Sequence, residues 1–178
     1  MKVKGSVCAS CYAGVGFYRM TAAKKLRADN LRITRKAIAS APHRAQWVAD
    51  LVHLIKSESR TVFRWHDSGD ILNAQHLSMI LAVCRATPEV KHWLPTREYQ
   101  IAQDVAYDEG IPENVNIRLS AHLIGKTFTP AAPFTSSSVG APNGKACPAT
   151  TDPAHKGKCL DCRACWDRAT PQVNYALH

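Results

Sequence analysis

What the chain lacks narrows its chemistry before any motif is considered. Nowhere in its 178 residues is there a run near the roughly 18 to 20 apolar residues that a membrane-spanning helix needs, so no membrane partner is expected. The basic start, Met1-Lys2-Val3-Lys4-Gly5-Ser6, leads into no apolar core of secretory length. A cytoplasmic protein is expected, with its cysteines reduced unless a metal takes them. There is no internal repeat, no Gly-x-Ser-x-Gly elbow and no Gly-x4-Gly-Lys-Ser/Thr phosphate loop. Aromatic residues are few, 7%, but the apolar fraction of 46% is ordinary for a globular chain and excludes wholesale disorder.

Acidic residues are also scarce: 14 Asp and Glu stand against 23 Lys and Arg, a formal charge of +9. Most of the excess is local. Between Arg19 and Arg44 lie eight bases and the single acid Asp29, which is +7 of the total. A patch of that sign attracts nucleic acid or another polyanion, with Lys24, Lys25, Arg32 and Arg35 as the contact. A solvated helix face explains the same run equally well.

The length fits one domain, or one domain with a small appendage. After Tyr12 the pattern is helical, with Asn30 expected to break it into two pieces, the second running from Leu31 to Ser40. Pro42 opens a further helix to Ser57, burying Trp47, Val48, Leu51, Leu54 and Ile55 at helical spacing. From Thr61 the period changes. Thr61–Trp65, Val90–Leu94 and Val115–Leu119 read as strands, separated by helices over Asn73–Ala86 and Glu98–Tyr107. Strands alternating with helices predict an α/β fold built from parallel βα units. A complete eight-unit barrel needs about 250 residues, so a partial barrel or a small parallel sheet is expected. A further short strand is predicted near Ser136–Val139 and a closing one over Val173–Leu177. The organisation expected is an α/β core over 1–140 and a cysteine-rich metal module over 141–178, its closing tail packed on the core.

Seven cysteines is an odd count with uneven spacing. Cys147, Cys159, Cys162 and Cys165 form C-x11-C-x2-C-x2-C. Two successive C-x2-C steps let one turning segment aim three thiolates at neighbouring corners of a cluster, and a distant fourth closes the cage. A [4Fe-4S] cluster is favoured. Zinc is the alternative metal, although it usually takes two separated C-x2-C knuckles. Cys8 and Cys11 are half a site, open to a shared metal, a redox pair or inert thiols. Cys84, on the apolar face of its helix, reads as core.

Sites in parallel α/β folds form where strands end. Three strands deliver His66-Asp67-Ser68-Gly69-Asp70, Thr96-Arg97-Glu98 and Ser120-Ala121-His122 to one rim. His66, Asp67 and Arg97 are therefore the candidate catalytic residues, while Asp70 is expected to cap the following helix.

Several of these segments together resemble the bacteriophage gene product 88 family. They are Cys8-x2-Cys11-Tyr12-Ala13, Arg64-Trp65-His66-Asp67-Ser68-Gly69-Asp70, Cys147-Pro148 with Cys159-x2-Cys162-x2-Cys165-Trp166, and Val173-x-Tyr175-x2-His178. More distantly they resemble phage proteins related to radical S-adenosylmethionine enzymes, which carry Cys-Tyr-Ala after their cluster cysteines. The resemblance implies a viral iron–sulfur protein of the infected cell's cytoplasm with a partial-barrel core. It departs from the radical enzymes in lacking the first cysteine of C-x3-C-x2-C. The expected function is that of a cluster-binding protein with a redox or electron-transfer role and a redox partner. The alternatives are a radical S-adenosylmethionine-like enzyme and a nucleic-acid-binding protein with a structural metal.

Overall fold

The computed structural model describes residues 3–177. His178, the last residue of the closing motif, lies outside them, as does the side chain of Tyr12. After three short 3-10 turns the helices are α1 (Thr21–Ala39), α2 (Ala41–Ser57), α3 (Ala74–Ala86), α4 (Tyr99–Glu109) and the single turn α5 (Pro148–Thr151). The strands are β1 (Val62–Arg64), β2 (Lys91–Thr96), β3 (Val115–Ser120), β4 (Thr135–Val139), β5 (Lys145–Ala146) and β6 (Gln172–Tyr175). They form one six-stranded sheet in the order β1-β2-β3-β4-β6-β5, every pairing parallel. The sheet curls into a half-barrel. No helix among the described residues is long and apolar enough to cross a membrane.

Local chemistry accounts for the boundaries. Pro42 opens α2, where its missing N–H is not needed. Asn73 caps α3, its side-chain oxygen accepting the His76 N–H at 2.9 Å. The expected cap, Asp70, does something else: it accepts from Ile71 N–H (2.8 Å), Thr96 Oγ1 (2.6 Å) and Arg97 N–H (2.9 Å), tying the end of β1 to the end of β2. The break expected at Asn30 is absent. Asparagine costs a helix interior only about 0.5 to 0.7 kcal/mol, and Asn30 faces solvent within one continuous α1. Leu54 also departs from expectation, since 56% of it is exposed while Ile55 beside it is buried.

The two faces of the sheet bury different things. Val115, Ile117 and Leu119 of β3 and Leu94 of β2 pack under α2, α3 and α4 against Ile55, Leu77, Ile80, Leu81, Ala102 and Val105. Cys84 lies in this layer, fully buried, with its thiol pushed up to about 12 by burial, so it is core as expected. On the opposite face stand Trp93, Asn116, Arg118, Val173 and Tyr175. The segment 162–168 lies across them: Asn116 Nδ2 donates to Cys165 O at 2.9 Å, and Trp166 Nε1 donates to Phe63 O at 2.8 Å. Trp166 also meets Trp93 edge to face at 5.3 Å. β4 is buried with almost no apolar side chain. Its hydroxyls are matched across the ladder, Thr135 with Asn116 (2.8 Å), Ser137 with Ser120 (3.0 Å) and Ser138 with Asn174 (3.1 Å).

Candidate metal centre and strand-end rim

The four C-terminal cysteines line one concavity, together with Pro148, Ala149, Trp166 and Val173. Cys147 arrives from the end of β5, where its N–H joins Asn174 O of β6 at 2.8 Å. The other three come from the loop between α5 and β6. That loop turns sharply through non-glycine residues in the left-handed region, Lys156 (φ 47°) and Leu160 (φ 47°). The Leu160 reversal lets Cys162 N–H bond Cys159 O at 2.9 Å, so both thiols of this C-x2-C aim at the same space.

Cys147 and Cys165 are buried, whereas Cys159 and Cys162 are half-buried nearer the mouth. Burial raises the Cys165 thiol to about 11, although the Tyr175 hydroxyl at 3.3 Å and the Arg118 charge both oppose the rise. Cys159 is raised first by burial and then by Cys147 and Cys162, a sign of how near one another these thiols stand. Among the described residues no three His, Cys, Asp or Glu side chains converge as a single ion requires. Tetrahedral zinc would draw its sulfurs to about 3.8 Å apart. A four-iron cluster binds each thiolate at a different iron and needs them only around a shared space. That space is small, a cavity volume of about 10 Å³. Four thiols around one space are a donor set that fits a thiolate-bound metal.

Cys8 and Cys11 lie elsewhere. The N-terminal segment is strapped to the chain beyond β3 by Val7 N–H to His122 O (3.0 Å) and Ile124 N–H to Gly5 O (3.0 Å). Tyr18 Oη donates to Asp67 at 2.6 Å, and Arg27 from α1 reaches back to Tyr18 O at 2.7 Å. This places Cys8 Sγ 3.6 Å from Arg97 Nη1, over the ends of the first three strands.

His66, Asp67 and Arg97 are thus all at this rim, as the strand order implied. His66 is held at φ 54°, and burial is the main cause that lowers its imidazole below the usual range. Its Nε2 is buried without a hydrogen-bond partner, and its ring meets that of His76 at 5.7 Å. Lys24, Lys25, Arg32 and Arg35 are exposed on α1, but Asp29 pairs with Lys25 (3.1 Å) and Arg32 (3.4 Å). Arg27 is half-buried, turned back towards Tyr18.

Sequence reasoning did not single out Arg118, and named Arg64 and Tyr175 only within the resemblance, with no place beside the cysteines. Arg118 and Tyr175 flank the Cys165 thiol, and Arg64, stacked over Trp93 at 4.7 Å, acts on Cys159. A signal for Arg118 was present. Polar residues at 116 and 118, alternating with Val115, Ile117 and Leu119, mark a strand whose second face is buried against something polar.

The model of a family described as Gene product 88 matches residues 2–168. No curated protein and no solved structure matches the chain, so the more distant likeness to radical S-adenosylmethionine enzymes has no match behind it.

Proposed function

The chain belongs to the gene product 88 family, and on that footing we propose that it binds a [4Fe-4S] cluster through Cys147, Cys159, Cys162 and Cys165 and serves in electron transfer. The observation that carries this is the gathering of four thiols from two separate segments into one concavity on a buried face of the sheet. When bound, such a cluster supplies a one-electron couple. The chain's own part is to hold the thiols, bury two of them and set the charge around them. With all four irons held by cysteine, electron transfer is better served than substrate activation. A redox partner would approach at the open mouth, beside Cys159 and Cys162.

The test is iron, sulfide and zinc content per chain in anaerobically purified protein, with optical and EPR spectra. About four irons and four sulfides are expected. Cys147→Ser and Cys165→Ser should lose them, while Cys8→Ser and Cys11→Ser should keep them. Zinc alone would make the site structural, and a chain free of both metals would sink the proposal.

One observation favours a second reading. The Arg97–Cys8 contact sets the N-terminal pair on the same rim as His66 and Asp67, which suits an enzyme of the radical S-adenosylmethionine type working there. That reading requires more than four irons per chain, or one cluster with a non-cysteine or empty corner. It also requires calorimetric binding of S-adenosylmethionine that Arg97→Met weakens, and absence of binding rejects it.

A further inference from the structure

Arg118 sits in the middle of β3 and is fully buried. Its guanidinium donates to Ser136 O (2.6 Å), Ala164 O (3.0 Å) and Thr170 O (3.0 Å), while Nε has no acceptor. Carbonyl oxygens engage its two terminal nitrogens but leave its charge unbalanced, and an unbalanced buried charge is strongly destabilising. Among the described residues the ion pairs are those of Lys25, Arg32, Arg60, Arg85 and His155; none involves Arg118.

Three groups able to carry negative charge act on it: Tyr175, then Cys165, then Asp167. Asp167 is exposed, and its carboxylate is engaged by Ala169 N–H (2.9 Å) and Thr170 Oγ1 (3.2 Å). Cys165 and Tyr175 stand together on the face that Arg118 occupies, Sγ 3.3 Å from Oη, and neither forms an ion pair with it. A metal changes this, since a thiol must lose its proton to bind one. A four-iron cluster on four thiolates carries about −2.

We infer that Arg118 is the counter-charge of the metal-bound thiolates, a positioning residue that lies behind Cys165, holds the cysteine loop by its carbonyls and makes the pocket electropositive. The inference rests on the cluster reading above. It explains why a guanidinium with no carboxylate partner is kept inside the sheet. It also assigns Arg118 a consequence that a purely structural role lacks: its charge favours the more negative, reduced form of the cluster.

The experiment begins with iron and sulfide content of the wild-type chain; absence of both overturns the cluster reading and this inference with it. With the cluster present, midpoint potentials are compared across wild type, Arg118→Met and Arg118→Lys. Arg118→Met is expected to show a tenfold fall in the equilibrium constant for one-electron reduction, ~59 mV to lower potential. Arg118→Lys keeps the charge and is expected to recover most of that shift. Equal potentials in wild type and Arg118→Met overturn the inference and leave the cluster reading intact. A lysine variant shifted as far as the methionine variant assigns the effect to hydrogen bonding and overturns it too. Should Arg118→Met fail to fold, Arg118→Gln takes its place in the same comparison: it keeps a hydrogen-bond donor and loses the charge, so the same fall in potential is expected, and a potential equal to that of wild type overturns the inference.

Discussion

His92 and His76 are buried and kept neutral, each with its ring pushed down to about 4 chiefly by burial. His92 Nε2 lies 2.9 Å from Thr87 Oγ1, whose own hydrogen goes to Val83 O. In the unfolded chain these rings titrate near 6.5. Between those values the unfolded state binds protons that the folded state refuses. The stability they contribute is therefore complete above pH ~6.5 and is lost as pH falls towards 4. Thermal melts across pH 4 to 8 are expected to show this decline, and His92→Phe should flatten it; an unchanged slope would remove His92 as a cause. Asp70 is the other residue whose role is decided by contacts. Asp70→Ala strands three donors at the junction of β1 and β2 and is expected to lose about 2 to 3 kcal/mol in urea unfolding, with Asp70→Asn losing less. Nothing in Asp-Ser-Gly-Asp marks its last residue as a strap to Thr96 and Arg97, because both partners lie 26 and 27 residues further on.

Among the elements, α2, α3, α4 and β1 to β3 were legible by their periods, helped by Pro42 at the start of α2 and Gly110 at the end of α4. β4 was legible near Ser136–Val139 only as a short extended piece, and its partners were not, since hydroxyls pair by position in the sheet rather than by any pattern along the chain. β5, two residues long, was not read at all; among the described residues its neighbour in the sheet is β6, more than 25 residues later. α1 was read as basic, correctly, and its surface now separates into used and unused charge. If nucleic acid binds this helix, reversing Lys24 and Arg35 should weaken binding to an oligonucleotide more than reversing Lys25 and Arg32, which Asp29 already holds. Fluorescence anisotropy across a salt series measures this, and equal losses would count against α1 as the contact.

At the scale of the whole molecule, the order β4-β6-β5 makes the cysteine-bearing segment part of the same sheet as the helical layer. No pattern in the sequence announces that insertion, because Val173-Asn174-Tyr175 reads as a strand without saying between which neighbours it lies. The thiols at 147 and 159 to 165 were legible as a set, from spacing alone. The face they rest on was not, since it is assembled from β2, β3 and β6. A shared sheet implies a shared transition. In metal-free protein, alkylation of Cys165 on one face and of Cys84 under the helices is expected to begin at the same temperature, together with the loss of far-ultraviolet dichroism. Earlier labelling of Cys165 would show that its segment unfolds alone.

Strand order also fixes a timetable. β6 is synthesised after both strands it joins, and β5 has no neighbour in the sheet until β6 arrives. The cysteine loop therefore cannot be pinned to the sheet until β6 has taken its place between β4 and β5, and this edge of the molecule is completed last. Were a metal the occupant of the concavity, an unfinished edge would offer it four open thiols, and a finished one only the mouth beside Cys159 and Cys162.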